Sequence, residues 1–274
     1  MVPSQGPERK GSGPQVTESK FSLVKWYLDC VTELGDAAIL YCADLRWRGV
    51  HLAYCSILQA IEGSVESHSS MAGFHLSNNS GDIQAEFPRL GVSGTWRADA
   101  LPVERTVYES ASGSVQWDCL QPKSKVNLRI GERELTGLGY AERLTLTLPP
   151  WKLPMRQLRW GRFVSPEDSL AWIDWQGPYS TSFAIHNGFE CELLSVSDSE
   201  VAIPNATLHM DDSLPLRAGR LGSTILPGAP ALRKLLPSSL FNIEEHKWRN
   251  RGVLNANEHS SRGWVIHEVV HWKI

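Results

Sequence analysis

Helical periodicity is scarce in this chain, and apolar residues alternate with polar ones instead. Many short alternating segments separated by Gly, Asn, Asp or Pro point to an antiparallel sandwich or barrel. No run of 18 or more apolar residues occurs, which excludes a membrane-spanning helix. The five cysteines (Cys30, Cys42, Cys55, Cys119 and Cys191) are odd in number and none has CxxC spacing, so neither a disulfide framework nor a structural zinc site is expected. Among nine histidines there is no HxH or HExxH cluster. His267 and His271 share a strand face but stand roughly 13 Å apart at ~3.3 Å per residue, too far for one metal ion. There is no GxSxG, P-loop or GxGxxG, so hydrolase, NTPase and dinucleotide readings lack their motifs. Net charge is −3, without the basic excess that nucleic acid or an anionic membrane surface would require.

The chain does have length and aromatic mass. Its 274 residues suffice for one large β unit or two domains. Eleven tryptophans lie in strand-like segments, where rings of that size fill cores or wall broad apolar cavities. Residues 1–19 contain Pro, Gly, Ser and charge but no apolar signal core, so a disordered leader and a cytoplasmic location are expected. Residues 149–154 (PPWKLP) cannot form a central strand, because proline donates no ladder hydrogen bond. A boundary is placed there, giving β domains over 20–150 and 151–274. Residues 77–82 (SNNSGD) and 130–134 (IGERE) read as hairpin turns. Short helices are expected at 230–236 and 237–243.

Five strands carry an ionisable residue on their apolar face. In Gly139–Leu148 (GYAERLTLTL), Glu142 shares a face with Tyr140, Leu144, Leu146 and Leu148. In GWVIHEVVHW, Glu268 shares one with Trp264, Ile266, Val270 and Trp272. Asp29 follows Tyr27 in KWYLDC, Arg162 follows Trp160 in LRWGRF, and Asp174 follows Trp172 in LAWIDWQ. An unpaired buried carboxylate is costly, so each must be paired, hydrogen-bonded or protonated. Glu142 is therefore either the partner of Arg159 or Arg162, or a protonated general acid in an oily pocket. Glu268 is either the partner of Arg251 or Lys247, or a second functional carboxylate. For Asp29 and Asp174 the alternative is a structural role, closing turns or capping strand ends.

The same segments carry a family resemblance. KWYLDCVTELGDAAILYCADLRW is similar to the opening W-Y-x-D-A segment of the carotenoid 1,2-hydratase and AttH-like group. GLGYAERL, a Trp/Pro loop and LRWGRF together resemble that group's G-Y-x-D/E … W-G-R signature, and tocopherol cyclases carry a comparable G-Y-x-E segment. The match runs from about Lys25 to Trp175. It implies lipocalin-like (calycin) β-barrels enclosing a cavity, and chemistry on hydrophobic polyenes, prenylated rings or polyketides by hydration, proton-driven cyclisation or shape-driven pericyclic cyclisation. It implies no organic cofactor and no metal. Glu142 falls on the acidic position of the signature. The sequence departs from the hydratases just after it, with RLTLTLP in place of a Trp-Gly-rich segment, which weakens the case for a carotenoid substrate.

The expectation is an all-β, two-domain enzyme of lyase or isomerase type, with a hydrophobic small-molecule substrate as its partner. Glu142 is the first candidate acid, with Glu268 or Asp174 as a second carboxylate. Tyr140, Trp160, Arg162, Trp172, His186 and Asp29 are the candidate pocket residues, with Arg162 pairing with or tuning Glu142. A lipid- or pigment-binding protein without chemistry is the rival reading.

Overall fold

A computed structural model of the chain describes residues 21–220, 241–257 and 259–272. The expected leader, the helix at 230–236 and most of that at 237–243 lie outside the described residues. Two antiparallel sheets account for the described architecture. The first holds β1 (Phe21–Val31), β2 (Ala37–Trp47), β3 (Val50–Ile61), β4 (Ser64–Ser70), β5 (His75–Asn79), β6 (Asp82–Phe87), β7 (Val92–Ala98), β8 (Val103–Ser110), β9 (Gly113–Ile130) and β10 (Arg133–Leu146). Its order is β4-β3-β2-β1-β10-β9-β7-β6-β5, with β8 also paired to β9. The second holds β11 (Gln157–Val164), β12 (Ser169–Gln176), β13 (Thr181–His186), β14 (Phe189–Cys191), β15 (Ser195–Val196), β16 (Glu200–Ile203), β17 (Ala206–Arg220), β18 (Glu244–Ala256) and β19 (His259–His271). Its order is β14-β13-β12-β11-β19-β18-β17-β16-β15.

Both expected hairpins form. Ser80 (φ 54°) and Gly81 (φ 94°) join β5 to β6 with two positive φ angles, the backbone of a type I′ turn. Two expected strands, 114–120 and 125–130, are instead one strand, β9. Pro122 does not break it, because it falls where β9 exchanges partners. β8 pairs up to Cys119, β7 pairs from Ser124, and the ladder to β10 shifts register there as well, so the missing N–H breaks no pairing.

Each sheet curls over a core on one face and packs against the other sheet with its opposite face. Leu28, Leu40, Ile57, Trp96 and Val126 fill the first sheet's own core. Phe163, Leu170, Trp172, Leu208 and Val265 fill the second's. The core between the sheets joins Tyr27, Trp117, Tyr140 and Leu146 to Trp160, Ile173, Trp175, Trp264 and Ile266. β11 and β12 are therefore buried on both faces over most of their length, and β12 accordingly opens on the continuous apolar run Leu170–Ile173. The loop between the sheets, with the 3₁₀ turn Pro150–Lys152, sets Trp151 edge-on against Trp47 at 5.2 Å.

Where β10 crosses β1 the backbones nearly touch. A Cβ on Gly139 would lie 2.1 Å from the Asp29 carbonyl oxygen and 2.6 Å from Val126 Cγ2. The β9–β10 register shifts begin at this glycine and lead directly into Tyr140, Ala141 and Glu142. Gly139→Ala is therefore expected to cost about 1–3 kcal/mol, the usual range for forced overpacking. A lowered urea midpoint with an unchanged slope would register it.

Across that junction the Arg162 guanidinium grips Asp29. Arg162 Nε donates to Asp29 Oδ2 at 2.8 Å and Nη2 to Oδ1 at 2.9 Å, and both side chains are 0% exposed. Further donors and acceptors of the pair and its neighbours are also used. Arg162 Nη1 donates to the Trp264 carbonyl, the Tyr27 hydroxyl to Asp29 Oδ2, and Trp96 Nε1 to the Asp29 carbonyl. Burial opposes the Arg162 charge, but Asp29 outweighs it and holds the guanidinium above its ordinary value. Among the described residues no helix is long and apolar enough to cross a membrane, and no group of three or more His, Cys, Asp or Glu is placed to hold a metal.

Candidate active site

Between the sheets lies a cavity of about 230 Å³. Two walls differ in character. Val107, Val115, Leu146, Met155, Ile173 and Trp175, from β8, β9, β10, the inter-sheet loop and β12, make one side apolar. Lys25, Tyr41, Tyr54, Arg217, Glu245 and Glu268, from β1, β2, β3, β17, β18 and β19, make the other side polar and charged.

Glu142 lines the same cavity, joined to the Glu268 position through Trp160. The alternation of β10 turns it inward with Tyr140 and Leu144, and its neighbours across β9 and β1 are Cys119 and Tyr27. Three donors converge on a single oxygen. Trp117 Nε1 donates to Glu142 Oε2 at 2.5 Å, the Tyr140 hydroxyl at 2.8 Å and Trp160 Nε1 at 3.0 Å. Among the described residues Oε1 accepts no hydrogen bond. Burial pushes the Glu142 carboxyl above the usual carboxylate range, and the three donors pull it only part of the way back. With Oε2 saturated as an acceptor, Oε1 is the oxygen left to carry the proton.

Glu268 has the opposite environment. It stands across the β11–β19 ladder from Trp160 and across the β18–β19 ladder from Lys247. The Lys247 ammonium, 1% exposed, contacts Glu268 Oε2 directly and lies 3.7 Å from Glu245 Oε1. Burial works to raise the Glu268 carboxyl, but Lys247 outweighs it, with help from Lys25 and Arg217, and holds it below its usual range. Lys247 also lies over the rings of Tyr27, Tyr41 and Trp160 at 5.4–5.6 Å, contacts that favour its charged form. Two carboxylates on one cavity thus have affinities for protons driven apart, Glu142 upward and Glu268 downward.

The structure brings Glu142, Glu268 and Trp160 to the cavity, with Tyr140 behind the wall and touching Glu142 through its hydroxyl. Other expectations are corrected. Arg162 does not pair with or tune Glu142; it is bound to Asp29, and this buried pair braces the wall through Tyr27, whose ring meets Trp160 at 4.8 Å. Arg159 pairs with Asp198 and Arg251 with Asp212, so neither serves the inward carboxylates. Trp172, Asp174 and His186 lie off the cavity. Trp172 belongs to the second sheet's own core, Asp174 accepts from Gln176 Nε2 at 2.7 Å, and His186 lies 3.8 Å from Asp168. β12 is apolar on both faces, so alternation alone does not say which face meets the cavity, and the other one does, through Ile173 and Trp175.

Sequence reasoning missed Trp117, Arg217 and Glu245, and found Lys247 only as a possible partner for Glu268. β18 was unread as a strand because its inward residues are Glu245, Lys247 and Arg249, leaving no apolar alternation to detect. The missed signal was charge alternating with His246, Trp248 and Asn250 on the other face. Trp248 stacks there on the His267 ring at 5.0 Å.

No family model matches the chain, and no curated protein matches it in sequence. Solved structures do resemble it. CghA superposes with a TM-score of 0.58 at 13% identity, over 93% of this chain and 89% of its own. Kievitone hydratase from Nectria haematococca gives 0.57 at 11% identity, over 94% and 93%. A protein assigned to AttH from Nitrosomonas europaea gives 0.50 at 9% identity, over 98% and 100%. At these identities the likeness is one of fold, and it runs nearly end to end: the chain has the two-sheet, lipocalin-like fold of CghA, kievitone hydratase and AttH, the fold that the sequence resemblance implied.

Proposed function

We propose that this chain is a hydratase- or cyclase-type enzyme, a lyase or isomerase, acting by general-acid catalysis on a hydrophobic terpenoid- or polyketide-like substrate. The observation that carries this reading is the Glu142 carboxyl, with its Oε2 held by three donors and its other oxygen left for a proton beside an apolar wall. Glu142 gives the Oε1 proton to a double bond or a weakly basic oxygen of the substrate. Positive charge develops on the substrate carbon, and the faces of Trp117, Trp160 and Trp175 stabilise it. A water then adds, which is hydration, or an internal nucleophile closes a ring, which is cyclisation. The proton released in either case is taken by the Glu268 carboxylate, kept ionised by Lys247. A fold neighbour named as a hydratase supports the class of reaction.

Incubation with conjugated polyenes and prenylated phenols, read by mass spectrometry, distinguishes a product heavier by one water from an isomer of unchanged mass. A bell-shaped pH dependence of kcat/KM is expected. The alkaline limb falls as pH rises through the raised Glu142 value, because the proton donor is lost. The acid limb falls as pH drops through the lowered Glu268 value, because the base is lost. A flat profile between about pH 5 and 8 would favour a cavity that works by shape alone.

A further inference from the structure

The polar side of the cavity contains a charged side chain with no hydrogen-bonding partner. Arg217 is 9% exposed and lines the cavity, yet among the described residues its guanidinium makes no hydrogen bond. Its contacts are Glu245 Oε1 at 3.7 Å and the Tyr41 ring at 5.6 Å. A guanidinium presents five N–H donors, and leaving such donors unmade in a buried site is unfavourable. Glu245 does not neutralise it alone, since the same oxygen lies 3.7 Å from Lys247. The side chain is also aimed deliberately. The β17–β18 ladder shifts register between Pro215 and Arg217, so Leu216 enters the inter-sheet core while the next residue, Arg217, still lines the cavity.

Other unmet donors share this wall. The Tyr41 hydroxyl and Trp272 Nε1 are buried without a partner among the described residues. The cavity lining carries the cations Lys25 and Arg217 beside the carboxyl groups of Glu142, Glu245 and Glu268, so unmade donors rather than net charge distinguish the Arg217 end. These unmade donors call for an acceptor.

We propose that the Arg217 end of the cavity is a subsite for an anionic oxygen group of the substrate, a carboxylate or an acidic enol, whose hydrocarbon part extends along the apolar wall to Glu142. This rests on the catalytic reading above and narrows its substrate class to amphipathic acids. The pairing is specific in a way the apolar wall is not, because a planar guanidinium matches two oxygens at once.

Isothermal titration of the full chain at pH 7 with octanoate and with octan-1-ol tests it. Octanoate is expected to bind on the order of tenfold more tightly than the alcohol, the value of a charge-assisted hydrogen bond. Arg217→Gln is expected to abolish that preference while leaving octan-1-ol affinity unchanged, and Arg217→Lys to retain part of it. Equal affinity of the parent chain for the two probes, absence of octanoate binding, or a preference that survives in Arg217→Gln overturns the proposal. The comparison of probes on the parent chain stands even if a variant misfolds. The readout needs no turnover, so its failure leaves the acid standing, and a failed acid leaves octanoate selectivity intact.

Discussion

Glu142→Gln is expected to lower turnover by about 10²–10⁴-fold, the usual contribution of a positioned general acid, with the fold intact. The substitution keeps an oxygen to accept the three donors from Trp117, Tyr140 and Trp160, and removes only the transferable proton. Its effect on stability should run the other way. The raised Glu142 value means the folded chain holds this proton more tightly than the unfolded chain does. That contribution is complete below the unfolded carboxyl value and is lost as pH rises through the folded one. The glutamine variant stays neutral throughout, so at pH 8 its thermal midpoint should equal or exceed the parent's. A variant that keeps full turnover with an intact fold would leave shape alone, or ligand binding without chemistry, as the role of the cavity.

Arg162→Met should destabilise the protein by about 3–5 kcal/mol, because it strands the Asp29 carboxylate where neither side chain reaches water. For a chain of this size that is a fall in Tm of roughly 6–20 °C. The loss is expected to be much smaller in the double variant Asp29→Leu with Arg162→Met, since replacing both charges by apolar groups removes the penalty along with the pair. Differential scanning calorimetry of the two single variants and the double variant measures the coupling directly. Additive losses would show that the pair does not act as a unit across the two sheets. Because Tyr27 both donates to Asp29 and packs on Trp160, the single variant should also loosen the wall that holds Glu142.

The inward acid was legible because β10 alternates strictly after its bulge, so that one face of GYAERLTLTL carries Glu142 between Tyr140 and Leu144. Glu268 was legible for the same reason in β19. Partners were not. Asp29 and Arg162 are separated by 133 residues and meet only because two sheets pack face to face, a fact with no local signature. β12 defeated the choice of face because both of its faces are buried, and β18 escaped because the face it turns inward is charged. β4, SVESHSS, was missed at the sheet edge, where exposed polar residues give no periodic signal. Alternation reports which side of a strand is dry, and it fails where both sides are dry or where the inward side is built for polar chemistry.

Carboxyl ¹³C NMR of glutamate-labelled protein, titrated from pH 3 to 9 and compared with the Glu142→Gln variant, reads the protonation of Glu142 itself. One resonance, absent in the variant, should titrate clearly above the ordinary glutamate value of about 4.3. If that resonance instead titrates at or below the ordinary value, Glu142 is an ionised carboxylate in the working range and cannot be the proton donor.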